Sequence, residues 1–300
     1  MMGTEVSVYL WSDDRDTGQA ALEAVYREAD RIDRLMSTYK DDSEISNINR
    51  QAAKSALVVS AELYGLIRRS IEISELTAGA FDITYESVGQ HFDFHKRQRP
   101  NEGTVADELL NIDYRYLQLD HDSNSVGFTQ PGVLINLGGI AKGYVVEQGV
   151  RVLRSMGISN AIVTAGGDSR LLGDRRGRPW MVGIRDPRKD GKVAISIPLA
   201  NEAVSTSGDY ERFFDEDGVR YHHIIHPSTG TPASGVHSAT VFGPDAVTTD
   251  ALSTSVFVMG VDSGLRMIAS LPNYESIVID ATGQVYFSSG LEQPRKPAAE

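Results

Sequence analysis

The segment Asn136-Leu-Gly-Gly-Ile-Ala-Lys-Gly143 constrains the fold most, because two adjacent glycines join a short apolar run to a helical pattern. We interpret residues 133–137 as a strand and residues 140–156 as a helix with Gly157 as its C-cap. Glycines let a phosphate group approach backbone N–H groups, and a helix N-terminus favours an anion. With Lys142 in the first turn, the segment predicts a phosphate-binding loop. By spacing alone, a tight turn with a solvated lysine is an equal alternative.

The rest of the chain alternates between short strand patterns and amphipathic helical patterns, with no internal repeat. Residues 37–49 are polar and rich in turn formers, so we expect a loop there. Residues 85–130 have an irregular pattern, and the charged residues 91–102 within them predict an exposed loop. Helical spacing covers residues 19–36, 60–76 with Ser60 as N-cap, and 250–259 before Gly260. Strands are expected at residues 4–11, 161–164, 180–184, 193–199, 202–206, 237–242, 276–279 and 284–287.

Hairpin-like strands mixed with separate helices favour an α+β fold, with a mainly antiparallel sheet and helices packed against it. A chain of 300 residues with 41% hydrophobic residues is long enough to bury a large core. No shift in composition marks a boundary, so we expect a single domain over residues 1–291. Residues 292–300 predict a disordered tail.

Composition excludes several functional classes. A formal net charge of −12 disfavours nonspecific binding to nucleic acid or to an anionic membrane. Any phosphate-rich ligand must then be neutralised locally by a metal or by a few cations. The absence of cysteine excludes disulfides, thiolate metal sites and a cysteine nucleophile. No apolar run approaches the roughly 20 residues of a membrane-spanning helix, so we expect no transmembrane segment. The first residues show no leader peptide, which leaves a cytoplasmic protein or a removed leader as alternatives.

Asp250 and Thr254 are four residues apart in Asp250-Ala-Leu-Ser-Thr254. On a helix this spacing brings the carboxylate and the hydroxyl to one face. A carboxylate with a hydroxyl suits a hard cation that keeps waters and takes phosphate oxygens, as Mg²⁺ does. The alternative, which the pair alone favours, is a first-turn aspartate that complements the helix dipole beside a buried threonine.

Other candidate residues are ambiguous when taken singly. His222, His223 and His226 are compatible with a metal cluster or a general base, or with a strand and turn in which one histidine is packed inside. Strand alternation places His222 and His223 on opposite faces. In the same way, Asp82 suits either a cap or a ligand, and Tyr39 suits either packing or stacking on a flat ring.

Together, and in this order, nine segments resemble the ApbE-type flavin transferases, which are FAD:protein FMN transferases. They extend from residue 2 to about residue 260, and nine matches in series are specific where one alone is not. The segments are Met2-Gly-Thr4, Ser37-Thr-Tyr39, Ser43-Glu-Ile-Ser46, Gly79-Ala-Phe-Asp82, Leu137-Gly-Gly-Ile-Ala-Lys-Gly143, Gly166-Gly-Asp168, Ser205-Thr-Ser-Gly-Asp-Tyr210, His223-Ile-Ile-His-Pro227 and Asp250-Ala-Leu-Ser-Thr254.

The resemblance implies a fold related to the T-fold, with FAD in a cleft between two lobes. It also implies a role for particular residues. The residues implied to hold FAD are Met2 on the flavin side, Tyr39 against the isoalloxazine ring, Ala80, Phe81 and Asp82 around the adenosine or flavin portion, Asn136, Lys142, and Ile225 in the flavin pocket. The residues implied to bind Mg²⁺ beside the diphosphate are Gly139 through its carbonyl, Asp250 and Thr254.

Two features depart from the family pattern or vary within it. Position 136 is often Asp in the family, and Asn136 keeps the size and an acceptor oxygen but loses the charge. A large aromatic residue at position 39 goes with transferase behaviour in the family, and a smaller polar residue goes with FAD hydrolysis. The family also implies the periplasm or cell envelope, with the leader already removed; a cytoplasmic location is the alternative.

The activity implied by the resemblance is Mg²⁺-dependent transfer of FMN from FAD to a Thr or Ser hydroxyl of an acceptor flavoprotein, such as a subunit of a redox complex or a reductase, with release of AMP. We assign catalytic roles to Lys142 and Asp250, and we take His223 as the candidate base with Asp250 as its rival. Two alternatives are an Mg²⁺-dependent FAD pyrophosphatase that yields FMN and AMP, and a flavin carrier without chemistry.

Overall fold

The computed structural model describes residues 4–189 and 191–291 of the chain. The α-helices in this part are α1 (Arg15–Met36), α2 (Glu44–Gln51), α3 (Ala61–Leu76), α4 (Glu86–Gly89), α5 (Glu102–Leu109), α6 (Ala141–Ser155) and α7 (Ala246–Ala269). The strands are β1 (Val6–Leu10), β2 (Leu57–Val58), β3 (Leu117–Asp120), β4 (Ser125–Phe128), β5 (Ala161–Ala165), β6 (Asp168–Leu172), β7 (Trp180–Arg185), β8 (Val193–Leu199), β9 (Ala203–Gly208), β10 (Phe213–Glu216), β11 (Val219–His222), β12 (Ile225–His226), β13 (Thr231–Pro232), β14 (Val236–Gly243), β15 (Glu275–Asp280) and β16 (Val285–Phe287).

A seven-stranded antiparallel sheet, in the order β1-β5-β6-β9-β14-β15-β16, is the frame of the fold. Its register pairs Asp168 of β6 with Ser205 of β9, and Ser205 with Val241 of β14. Helices α6 and α7 pack beside each other on this sheet, and α1 packs on α6. The predicted α+β class with a mainly antiparallel sheet is therefore confirmed.

A second apolar core lies beside the sheet, in the part of the chain that carries α1, α2, α3 and the small sheet β2-β4-β3. Fully buried Ile32, Ile48 and Ile67 fill it from the three helices. Leu137 and Ile140 enter the same core from the start of α6, so the glycine-rich segment lies where the two parts meet. Within residues 4–189 and 191–291, no helix is long and apolar enough to cross a membrane.

The loop predicted for residues 37–49 is wrong from residue 44 onward, because α2 begins there. Ser43 is its N-cap, and its Oγ accepts a hydrogen bond of 3.1 Å from Ser46 N. Ile45 and Ile48 are fully buried, three residues apart on one helix face. The cap and the apolar spacing were both present in the sequence, but polar residues between them obscured the pattern.

The strand predicted for residues 133–137 is also wrong, since this segment forms no strand in the structure. The side-chain amide of Asn49 makes the two hydrogen bonds that a neighbouring strand would make. Its Oδ1 accepts from Ile135 N at 2.8 Å, and its Nδ2 donates to Ile135 O at 2.9 Å. Ser87 Oγ accepts from Leu134 N at 3.0 Å. Side chains distant in sequence thus satisfy the buried backbone.

The helix predicted for residues 250–259 is longer than expected. It begins at Ala246 with Asp245 as N-cap, and Gly260, with φ of 78°, interrupts it without ending it. Asp250 therefore lies beyond the first turn. The irregular stretch 85–130 also contains α5 and the β3–β4 hairpin. The single domain predicted over residues 1–291 stays a prediction, and the tail at 292–300 lies outside the described residues.

Gly143 sets how closely α6 and α7 approach. A Cβ at this position would overlap the carbonyl oxygen of Ala246 and lie 2.8 Å from the Cβ of Asp250. We expect Gly143→Ala to lower the free energy of unfolding by about 3 kcal/mol, because backbone and not a flexible side chain must move. Chemical denaturation followed by circular dichroism measures this change.

Gly65 in α3 is the matched control, since a Cβ there meets nothing within 4 Å. Gly65→Ala should be neutral or stabilise by up to about 1 kcal/mol, because Gly is a poor helix former. Equal unfolding free energies for Gly143→Ala and wild type would show that the two helices can separate at no cost.

Candidate functional site

A cleft of about 390 Å³ opens between the helical part and the main sheet. Most of the predicted site residues line it, although they are far apart in sequence. The predicted residues in its wall are Tyr39, Ala80, Phe81, Asp82, Asn136, Gly139, Lys142, His223, Ile225 and Thr254. Met2 lies outside the described residues.

Lys142 is the centre of the cleft floor. Its Nζ donates to Gly138 O at 3.1 Å and to Asp250 Oδ1 at 2.8 Å, and lies 3.1 Å from Asp168 Oδ2. The other oxygen of Asp250 accepts from Gly143 N at 2.9 Å. The lysine is therefore not solvated; its side chain is 23% exposed and fixed between two buried carboxylates.

The charges of this cluster explain its proton affinities. Burial lowers the pKa of Lys142, but the negative charges of Asp168 and Asp250 raise it more, and the net pKa lies above its ordinary value. Burial and the charge of Asp250 raise the pKa of Asp168, and Lys142 offsets only part of this. With both aspartates ionised the cluster carries a net charge of −1, so it favours one additional cation.

Asp168 is a site residue that the sequence analysis did not single out. It is fully buried at the start of β6. Only its place in the Gly166-Gly-Asp168 segment signalled it. Its distance from Lys142 and Asp250 in sequence concealed the charge cluster, which forms only when the sheet places β6 beside α6 and α7.

Two of the predicted metal residues, Gly139 and Thr254, line the cleft, whereas Asp250 is fully buried against Lys142 and is not part of the cleft wall. A Cβ added to Gly139 would be 3.4 Å from Thr254 Oγ1 and 3.1 Å from the Phe81 ring, so a side chain there would fill the space. Ser207 Oγ lies 3.2 Å from Thr254 Oγ1. The Thr254 hydroxyl, a hard oxygen donor, therefore lies beside Gly139.

Asp82 acts as a structural cap. Its carboxylate accepts from Thr84 N at 2.8 Å, Thr84 Oγ1 at 2.6 Å and Tyr114 N at 2.8 Å. Burial nevertheless raises its pKa. Ala80 and Phe81 precede this turn in the cleft wall, so what this segment offers a ligand is mainly backbone and the Phe81 ring.

Tyr39 stands at the cleft mouth and is 74% exposed. Arg212 Nη1 donates to its hydroxyl at 3.3 Å. An exposed aromatic ring held at the edge of a cleft is free to bury its face against a flat ligand. The packing alternative for Tyr39 therefore does not hold.

The three histidines do not form a metal cluster. His222 is buried against Phe257, and its Nε2 donates to Ala233 O at 2.8 Å. His226 Nδ1 accepts from Ser228 N at 3.2 Å. Among residues 4–189 and 191–291, no group of three His, Cys, Asp or Glu side chains could hold a metal ion.

His223 lines the cleft, whereas His222 does not. Its Nδ1 is buried and has no hydrogen-bond partner within the described part of the chain. Burial and the nearby Arg212 charge lower its pKa to about 3. The imidazole is thus neutral at pH 7, and its basicity is weak.

Asn136 and Glu86 form a polar pair in the cleft wall. Asn136 Nδ2 donates to Glu86 Oε2 at 2.9 Å, and Asn136 Oδ1 accepts from Gly138 N at 2.8 Å. Glu86 is the second residue that the sequence analysis missed, because it lies 50 residues from its partner and outside the recognised segments.

Comparisons with known proteins agree on one family. Residues 2–278 match the ApbE family. The FAD:protein FMN transferase of Treponema pallidum (strain Nichols) is 33% identical over 290 residues, covering 91% of this chain and 80% of that protein. The FAD:protein FMN transferase of Vibrio cholerae serotype O1 is 34% identical over 260 residues, covering 85% and 77%. The crystal structure of the ApbE protein of Thermotoga maritima matches with a TM-score of 0.90 and 35% identity, covering 97% of this chain and 96% of that chain.

Removing the Lys142 charge should make stability strongly dependent on pH. We expect Lys142→Met to lower the free energy of unfolding by about 3 kcal/mol at pH 8, because two buried carboxylates lose their partner. Without the lysine, the pKa of Asp168 in the folded state rises further above its unfolded value. Stability is then retained at low pH and lost as the pH rises, so the deficit should shrink at pH 5. Urea unfolding at both pH values measures it.

Lys54→Met, at an exposed position, is the control and should change stability little at either pH. A deficit of Lys142→Met that is the same at pH 5 and pH 8 would contradict the charge cluster as the cause.

Proposed function

This chain belongs to the ApbE family, and we propose that it transfers FMN from FAD to a Thr or Ser hydroxyl of an acceptor protein. The observation that carries the proposal is Lys142 on the floor of a cleft, held by the buried Asp168 and Asp250, with Tyr39 at the mouth of the cleft. The cluster suits the diphosphate, and the aromatic mouth suits the flavin. Both belong to one ligand, FAD.

Different residues around the cleft contact different parts of FAD in this proposal. The Gly138-Gly139 backbone lets the diphosphate approach the start of α6, where Lys142 supplies a positive charge. Tyr39 stacks on the flavin, while Ala80 and Phe81 contact the adenosine or flavin portion. Ile225, which is buried in the cleft wall, adds apolar surface.

We further propose Mg²⁺ as the metal, held by the Gly139 carbonyl, Asp250 and Thr254. The donors are hard oxygens, as Mg²⁺ prefers. The charges of the Lys142 cluster support the same proposal, because the pKa of Asp168 is raised to about 7 and a nearby cation would favour its ionised form. When bound, the metal supplies neutralising charge for the diphosphate. Lys142 and Asp250 hold the floor of the cleft in position around it.

The reaction is an in-line substitution at phosphorus. The acceptor hydroxyl oxygen forms a bond to the FMN-side phosphorus, the bond from that phosphorus to the bridging oxygen breaks, and AMP leaves with that oxygen. Lys142 stabilises negative charge on the phosphoryl oxygens, so the contribution of the chain is mainly position and electrostatics. The hydroxyl proton passes to a base.

His223 is the base that we propose, since it lines the cleft and its neutral imidazole has no hydrogen-bond partner at its buried Nδ1 within the described residues. Its low pKa in the cleft makes it a weak acceptor on its own. A hydroxyl that attacks phosphorus loses its proton late in a loose transition state, and a weak base can serve there. Asp250 is the rival, although both of its oxygens already accept hydrogen bonds.

The acceptor is a flavoprotein with a Thr or Ser flavinylation site, and the periplasm or cell envelope is the compartment that we propose for the encounter. Incubation with FAD and Mg²⁺, with and without an acceptor, tests the activity. AMP release that requires the acceptor, with FMN mass added to one acceptor residue, is the expected result. AMP release without acceptor would favour a pyrophosphatase, and no AMP in either case would favour a carrier.

Asp250→Asn should reduce Mg²⁺-dependent AMP release at least about a hundredfold, because the substitution removes a charged metal ligand while keeping the size of the side chain. FAD should still bind. Asp262→Asn, at an exposed position on the same helix, should behave as wild type. Titration of Mg²⁺ against AMP release measures the change, and an unchanged rate at low Mg²⁺ would remove Asp250 from the metal site.

Tyr39→Asn should lose acceptor flavinylation and gain acceptor-independent AMP release. The tyrosine ring fixes the flavin, with a stacking contribution on the order of 1 kcal/mol, and it fills space that water could use near the diphosphate. Because Tyr39 is exposed, the variant should fold normally. Chromatographic yields of AMP and FMN with and without acceptor decide this, and yields equal to those of wild type would make Tyr39 irrelevant to the choice of nucleophile.

A further inference from the structure

Glu86 carries a carboxyl group that the mechanism above does not use. It begins α4 and lines the cleft with its half-buried side chain. Asn136 Nδ2 donates to its Oε2 at 2.9 Å. Within the described residues, no cationic side chain forms an ion pair with Glu86. A carboxylate has about four acceptor positions, so one amide donor leaves most of them available to a ligand.

The environment of Glu86 makes it sensitive to a new donor. Burial in the cleft wall raises its pKa to about 7, and the Asn136 hydrogen bond opposes this only in part. Tyr85 is the adjacent ionisable group, and Tyr39 and Arg212 act in turn on Tyr85. The other ionisable groups that line the cleft with Glu86 include His223 and Lys142. A ligand group that donates a hydrogen bond would stabilise the ionised carboxylate.

The position of Glu86 limits which part of FAD can reach it. Asn136 bonds both to Glu86 and to Gly138 N, and Gly138 O accepts from Lys142 Nζ. Glu86 is therefore connected to Lys142, the lysine proposed to bind the diphosphate, through only two residues, Asn136 and Gly138. In FAD the groups next to the diphosphate are sugar units on both sides, the ribose of adenosine and the ribityl chain of the flavin.

We propose that Glu86 binds a sugar hydroxyl of FAD through its ionised carboxylate and thereby makes FAD recognition dependent on pH. The inference rests on the proposed function. Carboxylates bind sugar hydroxyls beside phosphate-binding loops in other nucleotide sites. Here Asn136 positions the Glu86 carboxylate, because its side-chain amide donates a hydrogen bond to it. An aspartate at position 136 would instead place two carboxylates next to each other, and their negative charges would repel.

The sign of the pH effect follows from the donor. A hydroxyl that donates to Glu86 favours the ionised form, so binding FAD lowers the pKa of Glu86. Affinity should therefore rise as the pH increases through 7. The ionised fraction of a group that titrates near pH 7 grows about tenfold between pH 6 and pH 8, and the affinity of wild type for FAD should grow by about the same factor.

Calorimetric titration of FAD into the full chain between pH 6 and pH 8 tests the proposal. Glu86→Gln should bind FAD on the order of tenfold more weakly than wild type at pH 8. Its own affinity should be the same at pH 6 as at pH 8, so its profile is flat and meets that of wild type near pH 6. Glu72→Gln, on α3 at the surface, should keep the wild-type profile. A flat profile for wild type, or a Glu86→Gln profile like that of wild type, overturns the proposal.

Exchange of the carboxyl and amide groups between positions 86 and 136 tests the hydrogen bond between Glu86 and Asn136. Asn136→Asp should weaken FAD binding at pH 8, and the double variant Glu86→Gln/Asn136→Asp should bind more tightly than either single variant, because one carboxyl and one amide again face each other. Losses that simply add would overturn the role of Asn136. Thermal unfolding of each variant at pH 8 shows that the change is in binding.

Titrations with ADP and with FMN identify the sugar. A pH-dependent affinity for ADP that Glu86→Gln abolishes assigns the adenosine ribose, and the same result with FMN assigns the ribityl chain. Wild-type FAD binding and acceptor flavinylation with no Glu86-dependent profile would overturn this inference and leave the transferase function intact. Absence of FAD binding altogether would overturn the transferase function itself.

Discussion

The crossing of α6 and α7 at Gly143 is the contact on which the site depends. With no side chain at 143, the backbone N–H of α6 reaches the Asp250 carboxylate of α7 at 2.9 Å. The preceding residue, Lys142, donates from its side-chain Nζ to the other oxygen of Asp250 at 2.8 Å. A wider crossing would separate the cation from its carboxylate, and the Gly139–Thr254 neighbourhood would open with it.

A protein with a formal net charge of −12 repels a negatively charged diphosphate unless positive charge lies close to the binding site. In this fold the positive charge comes from Lys142. Two buried aspartates hold a single lysine, which leaves the floor of the cleft with a deficit of positive charge. Such a site attracts a cation before it attracts phosphate. The glycines at 138 and 139 leave backbone accessible next to it, so charge and shape are built from neighbouring residues of one segment.

Prediction from sequence succeeded where a short segment carries its own chemistry. The glycine-rich segment that ends in Lys142 and the helix that carries Asp250 and Thr254 each encode local geometry, and the structure places Lys142 and Thr254 in the wall of one cleft. It failed where a partner is remote. Asn49 replaces a strand for residues 133–137, and Glu86 meets its amide partner across 50 residues. The spacing of hydrophobic residues along the sequence does not indicate side-chain contacts of this kind.

By itself, the sequence determined the α+β class and most of the helices and strands, because period, caps and glycines act over a few residues. Its resemblance to the flavin transferases pointed to many of the residues that line the cleft. Only the tertiary structure decided which charges face one another. Asp168 is an unremarkable residue at the start of a strand until the antiparallel sheet places β6 beside α6 and α7. Its pairing with Lys142 then depends on burial and on distances between atoms, which local sequence patterns do not specify.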